Sequence, residues 1–142
     1  MRDEVRDDLL PLFFNTGSVQ RWASALTSPR RGEDEREAAF DLEVFEASIR
    51  GFAEGYGRPI DRAERDSLVD ATERIALELA TRYATDALEE SYFAWDRDRF
   101  PRATDHNLVR TEGQLSLFEA ARSGRDARVS ILETVFPVEG GA

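Results

Sequence analysis

The sequence predicts an all-α fold, a compact single-domain helical bundle of five to seven helices. Apolar residues recur at spacings of three and four, and no useful stretch alternates apolar and polar residues as a strand does. Residues that favour helix ends flank several of these segments. A chain of 142 residues can bury one core but is short for two. We expect one helical domain over residues 1–136 and a flexible tail over residues 137–142.

The N-terminal third is expected to begin with two short helices, over Asp3–Phe14 and around Val19–Leu26. The segment "TSPRRGEDERE" follows, and its proline, glycine and charged residues are typical of an exposed loop.

The next helix is predicted within "FDLEVFEASIRGFAEGYG", with Asp41 as its N-cap and Gly57 as the residue after its end. Its apolar side is formed by Leu42, Phe45, Ile49, Phe52 and Tyr56. A further helix starts at Asp61, where Glu64 stands three residues on and completes a capping-box pattern.

The helical pattern then runs long, to about Phe93. The segment "DHNLVRTEGQLSLFEAARSG" predicts another helix, with Leu108, Leu115 and Phe118 on its apolar side. A last short helix is expected over Ala127–Val135.

Composition excludes several classes of function. The net charge is −10, which disfavours a nucleic-acid partner, and all 19 basic residues are arginine. The absence of cysteine excludes disulfides and thiolate metal sites. No apolar run approaches the roughly 20 residues of a membrane span, and the charged start "MRDEVRDDLL" is unlike a signal peptide. We therefore expect a cytoplasmic protein.

The long helix carries a polar stripe that ends in two aromatic residues. At about 100° per residue, seven side chains fall on one side of the helix. They are Glu78, Arg82, Thr85, Asp86, Glu89, Tyr92 and Phe93. Glu78 and Asp86 each lie four residues from Arg82, so we expect them to orient its guanidinium group. The stripe is either the solvent face of a central helix or the wall of a crevice in which an aromatic ring and fixed polar groups bind a sugar.

His106, the only histidine, lacks partners at metal-ligand spacing. We predict that it caps a helix or fixes a loop.

Several segments together resemble the C-terminal part of the aminoglycoside phosphotransferase-like kinases, especially the branch that phosphorylates N-acetylhexosamines at the anomeric position. That branch has a segment of the type "LE-x-x-x-RFLTDYLEGD-x-YF" followed by "YP-x-HNL-x-RA-x-x-Q". The first is matched by Leu77, Glu78, Arg82, Thr85, Asp86, Leu88, Glu89, Tyr92 and Phe93. The second is matched by Phe100, Pro101, His106, Asn107, Leu108, Arg110 and Gln114. The spacing from Arg82 to Tyr92 is one residue shorter than in that pattern.

The resemblance implies a fold like the C-terminal helical subdomain of a protein-kinase-like enzyme, with Arg82 and Tyr92 as sugar contacts. A complete kinase of this kind would use ATP and Mg²⁺, held by an N-terminal lobe, a catalytic loop and a metal-binding Asp. This chain has no lysine and no "HGD-x-x-x-x-N" segment. We therefore expect no catalytic residue, no metal and no cofactor in it, but a sugar site formed by Arg82, Tyr92, Asp86 and Glu78.

The alternative is a non-enzymatic helical module that docks on another chain, such as a missing kinase lobe, or self-associates through apolar surface. The segment "LLPLFFN", residues 9–15, would be the contact in that case.

Overall fold

A computed structural model describes residues 35–138, which form four α-helices. They are α1 (Leu42–Tyr56), α2 (Arg62–Glu89), α3 (Ala103–Ser123) and α4 (Arg125–Val135). The all-α class is confirmed for this part of the chain. The helices predicted over Asp3–Phe14 and around Val19–Leu26, and the "LLPLFFN" segment, lie outside the described residues.

Helix ends in the first half of the described region follow the sequence signals. The Asp41 carboxylate accepts hydrogen bonds from the backbone N–H groups of Glu43 and Val44, and Gly57 adopts a left-handed conformation with φ of 66° after α1. At the start of α2, Asp61 and Glu64 form the predicted capping box, each carboxylate accepting the other residue's backbone N–H. Local chemistry therefore determines where α1 begins and ends and where α2 begins.

We expect Asp61→Ala to lower the free energy of unfolding by about 1 kcal/mol, because the N–H of Glu64 loses its acceptor. Urea denaturation followed by circular dichroism measures this loss. Asp66→Ala serves as the control, since the exposed Asp66 forms long ion pairs with Arg62 and Arg65, at 3.8 Å and 3.6 Å. An equal loss in both variants would contradict the capping role.

The main core lies where α1 and α4 pack together and against the first half of α2. It is formed by Phe45, Ile49, Ile60, Leu68, Val69, Leu132 and Phe136. The Phe52 ring packs edge-on against Phe136, with 6.1 Å between ring centroids. This core joins residues from both ends of the described chain.

Helices α2 and α3 make the most extensive helix pair and run antiparallel. Near one end of the pair the Asp86 carboxylate accepts a hydrogen bond from the Asn107 side chain, and near the other the Arg128 guanidinium donates to the carbonyls of Val69 and Ala121. Arg128 on α4 is fully buried and also pairs with Glu73. This arginine therefore ties three helices together.

The predicted apolar side of α3 is wrong. Leu108 and Leu115 are exposed, and Phe118 is only half-buried. The buried face consists of Ala103, His106, Asn107, Val109, Gly113, Leu117 and Ala121. Most of these side chains are small or polar. They allow α2 and the segment at residues 35–40 to pack close to the backbone of α3.

Within residues 35–138, no helix has both the length and the apolar character required to cross a bilayer.

Candidate functional site

The C-terminal end of α2 forms one wall of a cleft because the helix stops earlier than its pattern predicts. We expected helix to about Phe93, but α2 ends at Glu89 and Glu90 is left-handed, with φ of 50°. The Glu90 N–H still donates to the Asp86 carbonyl. Beyond it the chain leaves the helix axis, which brings the next residues beside the last turns of α2.

Asp86 accounts for this termination. Its side chain is only 3 % exposed and accepts hydrogen bonds from three consecutive backbone N–H groups, those of Ser91 (2.9 Å), Tyr92 (2.8 Å) and Phe93 (2.9 Å). In a continued helix these donors would bond to carbonyls four residues back. The carboxylate takes them instead, and Asn107 Nδ2 donates a fourth bond of 2.9 Å.

The same bonds act on the ionisation of Asp86. The hydrogen bond from the Phe93 N–H, with those from Ser91, Tyr92 and Asn107, lowers the pKa of the Asp86 carboxyl against the opposing effect of burial. A lowered folded-state pKa means that this stabilisation is complete above the unfolded-state pKa and is lost as the pH falls through the lower folded value. At neutral pH the Asp86 carboxylate is therefore ionised, and both of its oxygens accept hydrogen bonds.

An aromatic group lies next to Arg82. The Phe93 ring stands between Tyr83 and Tyr92, at centroid distances of 4.5 Å and 4.8 Å. The Arg82 Cζ atom lies 5.5 Å from the Tyr92 ring centroid and 5.8 Å from that of Phe93, within cation–π range. Its Nη2 atom is 3.4 Å from the Tyr92 hydroxyl. The rings thus support the guanidinium group from one side.

The first turns of α3 hold the end of α2 and the loop that follows it. The Thr104 hydroxyl donates to the Ala87 carbonyl at 2.8 Å, and Arg110 Nη1 donates to the Ala94 carbonyl at 2.9 Å. His106 Nδ1 accepts the Asp96 N–H at 3.1 Å. The loop-fixing role predicted for His106 is confirmed by this bond.

The other ring nitrogen of His106 reaches the segment before α1. Because Nδ1 accepts a hydrogen bond, Nε2 carries the proton of the neutral ring and donates to Glu35 at 3.0 Å. The Glu35 backbone crosses α3 so closely that a Cβ atom at Gly113 would overlap its carbonyl oxygen. Glycine at this position therefore allows the contact between the segment and the helix.

The cleft between α2 and the loop has a volume of about 370 Å³. It is lined by Thr81, Arg82, Thr85, Asp86, Glu89, Ser91, Tyr92 and Phe93. The hydroxyls of Thr81 and Thr85 donate to backbone carbonyls of α2 and can only accept from a ligand. Arg82 supplies donors and Glu89 supplies acceptors, while Tyr92, 70 % exposed, presents a ring surface.

The structure brings together three of the four predicted site residues. Arg82, Asp86 and Tyr92 line the cleft, whereas the exposed Glu78 is not among its lining residues. Among residues 35–138 no ion pair joins Arg82 to Glu78 or Asp86, and the orienting role expected of these two carboxylates stays a prediction. The Asp86 oxygens face the loop backbone, and the rings of Tyr92 and Phe93 contact the arginine instead.

Sequence reasoning missed the contribution of Asn107. This side chain is fully buried, donates to Asp86 and accepts a 3.2 Å hydrogen bond from Arg110. The signal was an asparagine on the buried side of an amphipathic helix, where an amide requires partners.

Among residues 35–138, no three His, Asp or Glu side chains are grouped to hold a metal ion.

Comparisons of the chain with protein-family models, with curated proteins and with solved structures found no match.

Proposed function

We propose that this chain is the sugar-binding C-terminal part of a kinase similar to the aminoglycoside phosphotransferases, and that it is catalytically inert by itself. The observation that carries the proposal is the cleft at the end of α2, where Arg82 lies against the rings of Tyr92 and Phe93. In this interpretation the described helices correspond to the substrate-binding subdomain of a kinase C-lobe.

The groups facing the cleft suit an N-acetylated hexose. A sugar ring has apolar C–H faces that pack on an aromatic ring, and the exposed Tyr92 ring offers such a surface. Arg82 has donors for a carbonyl or hydroxyl oxygen, and Glu89 can accept from a hydroxyl. A volume of about 370 Å³ lies within the range of small-molecule sites, roughly 300–1,000 Å³.

The shorter spacing between Arg82 and Tyr92 fits this proposal. On a continuous helix one missing residue would rotate Tyr92 by about 100°. Because α2 ends at Glu89, the loop rather than the helix places Tyr92, and its hydroxyl lies 3.4 Å from Arg82.

We expect Arg82→Ala to weaken binding of N-acetylglucosamine or N-acetylgalactosamine by about 10- to 100-fold, since hydrogen bonds to a charged group contribute about 1.5–3 kcal/mol. Isothermal titration calorimetry with these two sugars, and with glucose as a comparison, measures the change. Arg74→Ala is the matched control, because Arg74 is exposed on the same helix and outside the cleft lining.

Two results would contradict the proposal. One is that the unsubstituted chain binds none of these sugars at millimolar concentration. The other is that Arg82→Ala lowers thermal stability while sugar affinity is unchanged, which would make Arg82 a structural residue.

A helical self-association module is the second candidate function. Leu88 is 88 % exposed and stands directly before the cleft residue Glu89, while Leu108 and Leu115 are exposed on one face of α3. Such side chains favour contacts with another protein surface. A molecular mass that rises with concentration in sedimentation equilibrium, and falls in Leu88→Ser, would favour this function. A monomer whose melting temperature rises with sugar would favour the first.

A further inference from the structure

The Asp86 carboxylate has no capacity left for a ligand, although the residue lines the cleft. Two carboxylate oxygens offer about four lone-pair positions. Oδ1 accepts from the N–H groups of Ser91 and Tyr92, and Oδ2 accepts from the Phe93 N–H and from Asn107 Nδ2. All four bonds are 2.8–2.9 Å long. Asp86 therefore acts on the polypeptide around it rather than on a bound molecule.

The three backbone donors belong to the residues that form the opposite wall of the cleft. Ser91, Tyr92 and Phe93 all line it, and their consecutive peptide groups are oriented by one buried carboxylate. Fixing these peptide groups also fixes the directions in which the side chains leave the backbone. The position of the exposed Tyr92 ring thus depends on Asp86, which bonds to the backbone of Tyr92.

Asn107 connects this arrangement to α3. Its amide donates to Asp86 Oδ2, and its Oδ1 atom accepts from Arg110, which in turn donates to the Ala94 carbonyl one residue beyond the cleft wall. Asn107 is fully buried, so its bond to Asp86 is shielded from water, whereas the bond from Arg110 to the Ala94 carbonyl is exposed. The chain of bonds runs from α2 through α3 to the loop.

We propose that Asp86 and Asn107 are positioning residues, which hold the Ser91–Phe93 wall in the arrangement that binds the ligand without themselves contacting it. This inference rests on the proposed function only in taking the cleft as the ligand site. The hydrogen-bonding role itself can be tested without any ligand.

Backbone hydrogen exchange of the full chain, measured by NMR, tests the positioning role. In the unsubstituted protein, the amides of Ser91, Tyr92 and Phe93 should exchange at least about tenfold more slowly than in an unstructured peptide, as expected for bonded donors. In Asp86→Asn an NH₂ group replaces one of the two acceptor oxygens, so the backbone N–H groups bonded to that oxygen should lose their protection. The amides of α1 and α4 should be unchanged, which a uniform loss of stability would not produce.

Asp41→Asn is the matched control, because Asp41 also accepts two backbone N–H groups, at the start of α1 and far from the cleft. Its effect on exchange should be confined to α1. If Asp86→Asn does not fold, Asn107→Ser removes one of the four donors and should raise exchange at the same three amides by a smaller factor. Free-peptide exchange at these amides in the unsubstituted protein would overturn the proposal.

Sugar titration of the same variants separates the two proposals. Loss of protection in Asp86→Asn together with at least about tenfold weaker N-acetylhexosamine binding supports the positioning of a ligand wall. Loss of protection with unchanged affinity overturns it. If the unsubstituted chain binds no sugar, the sugar function fails, while slow exchange at these amides and its loss in Asp86→Asn still establish that Asp86 holds the wall.

Discussion

Glu73→Ala is expected to lower the free energy of unfolding by about 3–5 kcal/mol, because it leaves the fully buried Arg128 without its carboxylate. The Arg128 guanidinium also donates to the carbonyls of Val69 and Ala121, but neither carries a compensating charge. Its Nε atom has no hydrogen-bond partner among the described residues, so the group is already incompletely satisfied. A buried cation in this state is costly. Urea denaturation at neutral pH measures the loss.

Asp70→Ala is the control for this prediction. Asp70 pairs with Arg125 one turn before Glu73, but both side chains are substantially exposed, so we expect a loss below about 1 kcal/mol. Combining Glu73→Leu with Arg128→Met removes both charges and should recover much of the stability lost in Glu73→Ala. A loss in Glu73→Ala no larger than that in Asp70→Ala would show that the pair contributes little.

Phe45→Ala is expected to cost about 3–5 kcal/mol, since it removes an aromatic side chain that is 0 % exposed. The Phe45 ring lies at the centre of the α1–α4 core and contacts Phe40, with 5.7 Å between ring centroids. The cavity left behind adds to the lost burial. For a domain whose whole stability is about 5–15 kcal/mol, this is a large fraction.

Val44→Ala is the matched control, because Val44 precedes Phe45 on α1 but is 38 % exposed. We expect its effect to stay within about 0.5 kcal/mol. Thermal melts and urea titrations of both variants provide the comparison. Similar losses in the two variants would mean that the α1–α4 contact is not the main core.

Some features of the fold were predictable from a few neighbouring residues. The N-cap at Asp41, the left-handed Gly57 and the Asp61–Glu64 capping box involve bonds between residues at most four apart. The periodicity of α1 likewise predicted Phe45 and Ile49 as core residues, and both are buried. Arg82, Asp86 and Tyr92, expected on one side of the long helix, all line the cleft, although Tyr92 stands in the loop after α2 and not on the helix.

The roles of those site residues were harder to predict from the sequence. Helical spacing alone paired Arg82 with Glu78 and Asp86, because i, i+4 neighbours face each other on an isolated helix. In the folded chain Asp86 is buried and bonds forward to the loop and across to Asn107, 21 residues away. Arg82 turns to the aromatic rings that this loop supplies.

The sequence by itself determined the helical class and the starts of α1 and α2, since these depend on propensity, periodicity and capping within one or two turns. Only the tertiary structure decided which face of α3 is buried, where α2 ends and how the cleft is formed. The physical reason is that a buried carboxylate needs hydrogen-bond donors, and a closely packed helix needs a small residue at the contact. The neighbouring elements that meet these needs are set by the tertiary fold. Asn107 and Gly113 contact partners 21 and 78 positions away, separations that no local pattern encodes, and Asp86 combines bonds to residues five to seven positions on with one to Asn107.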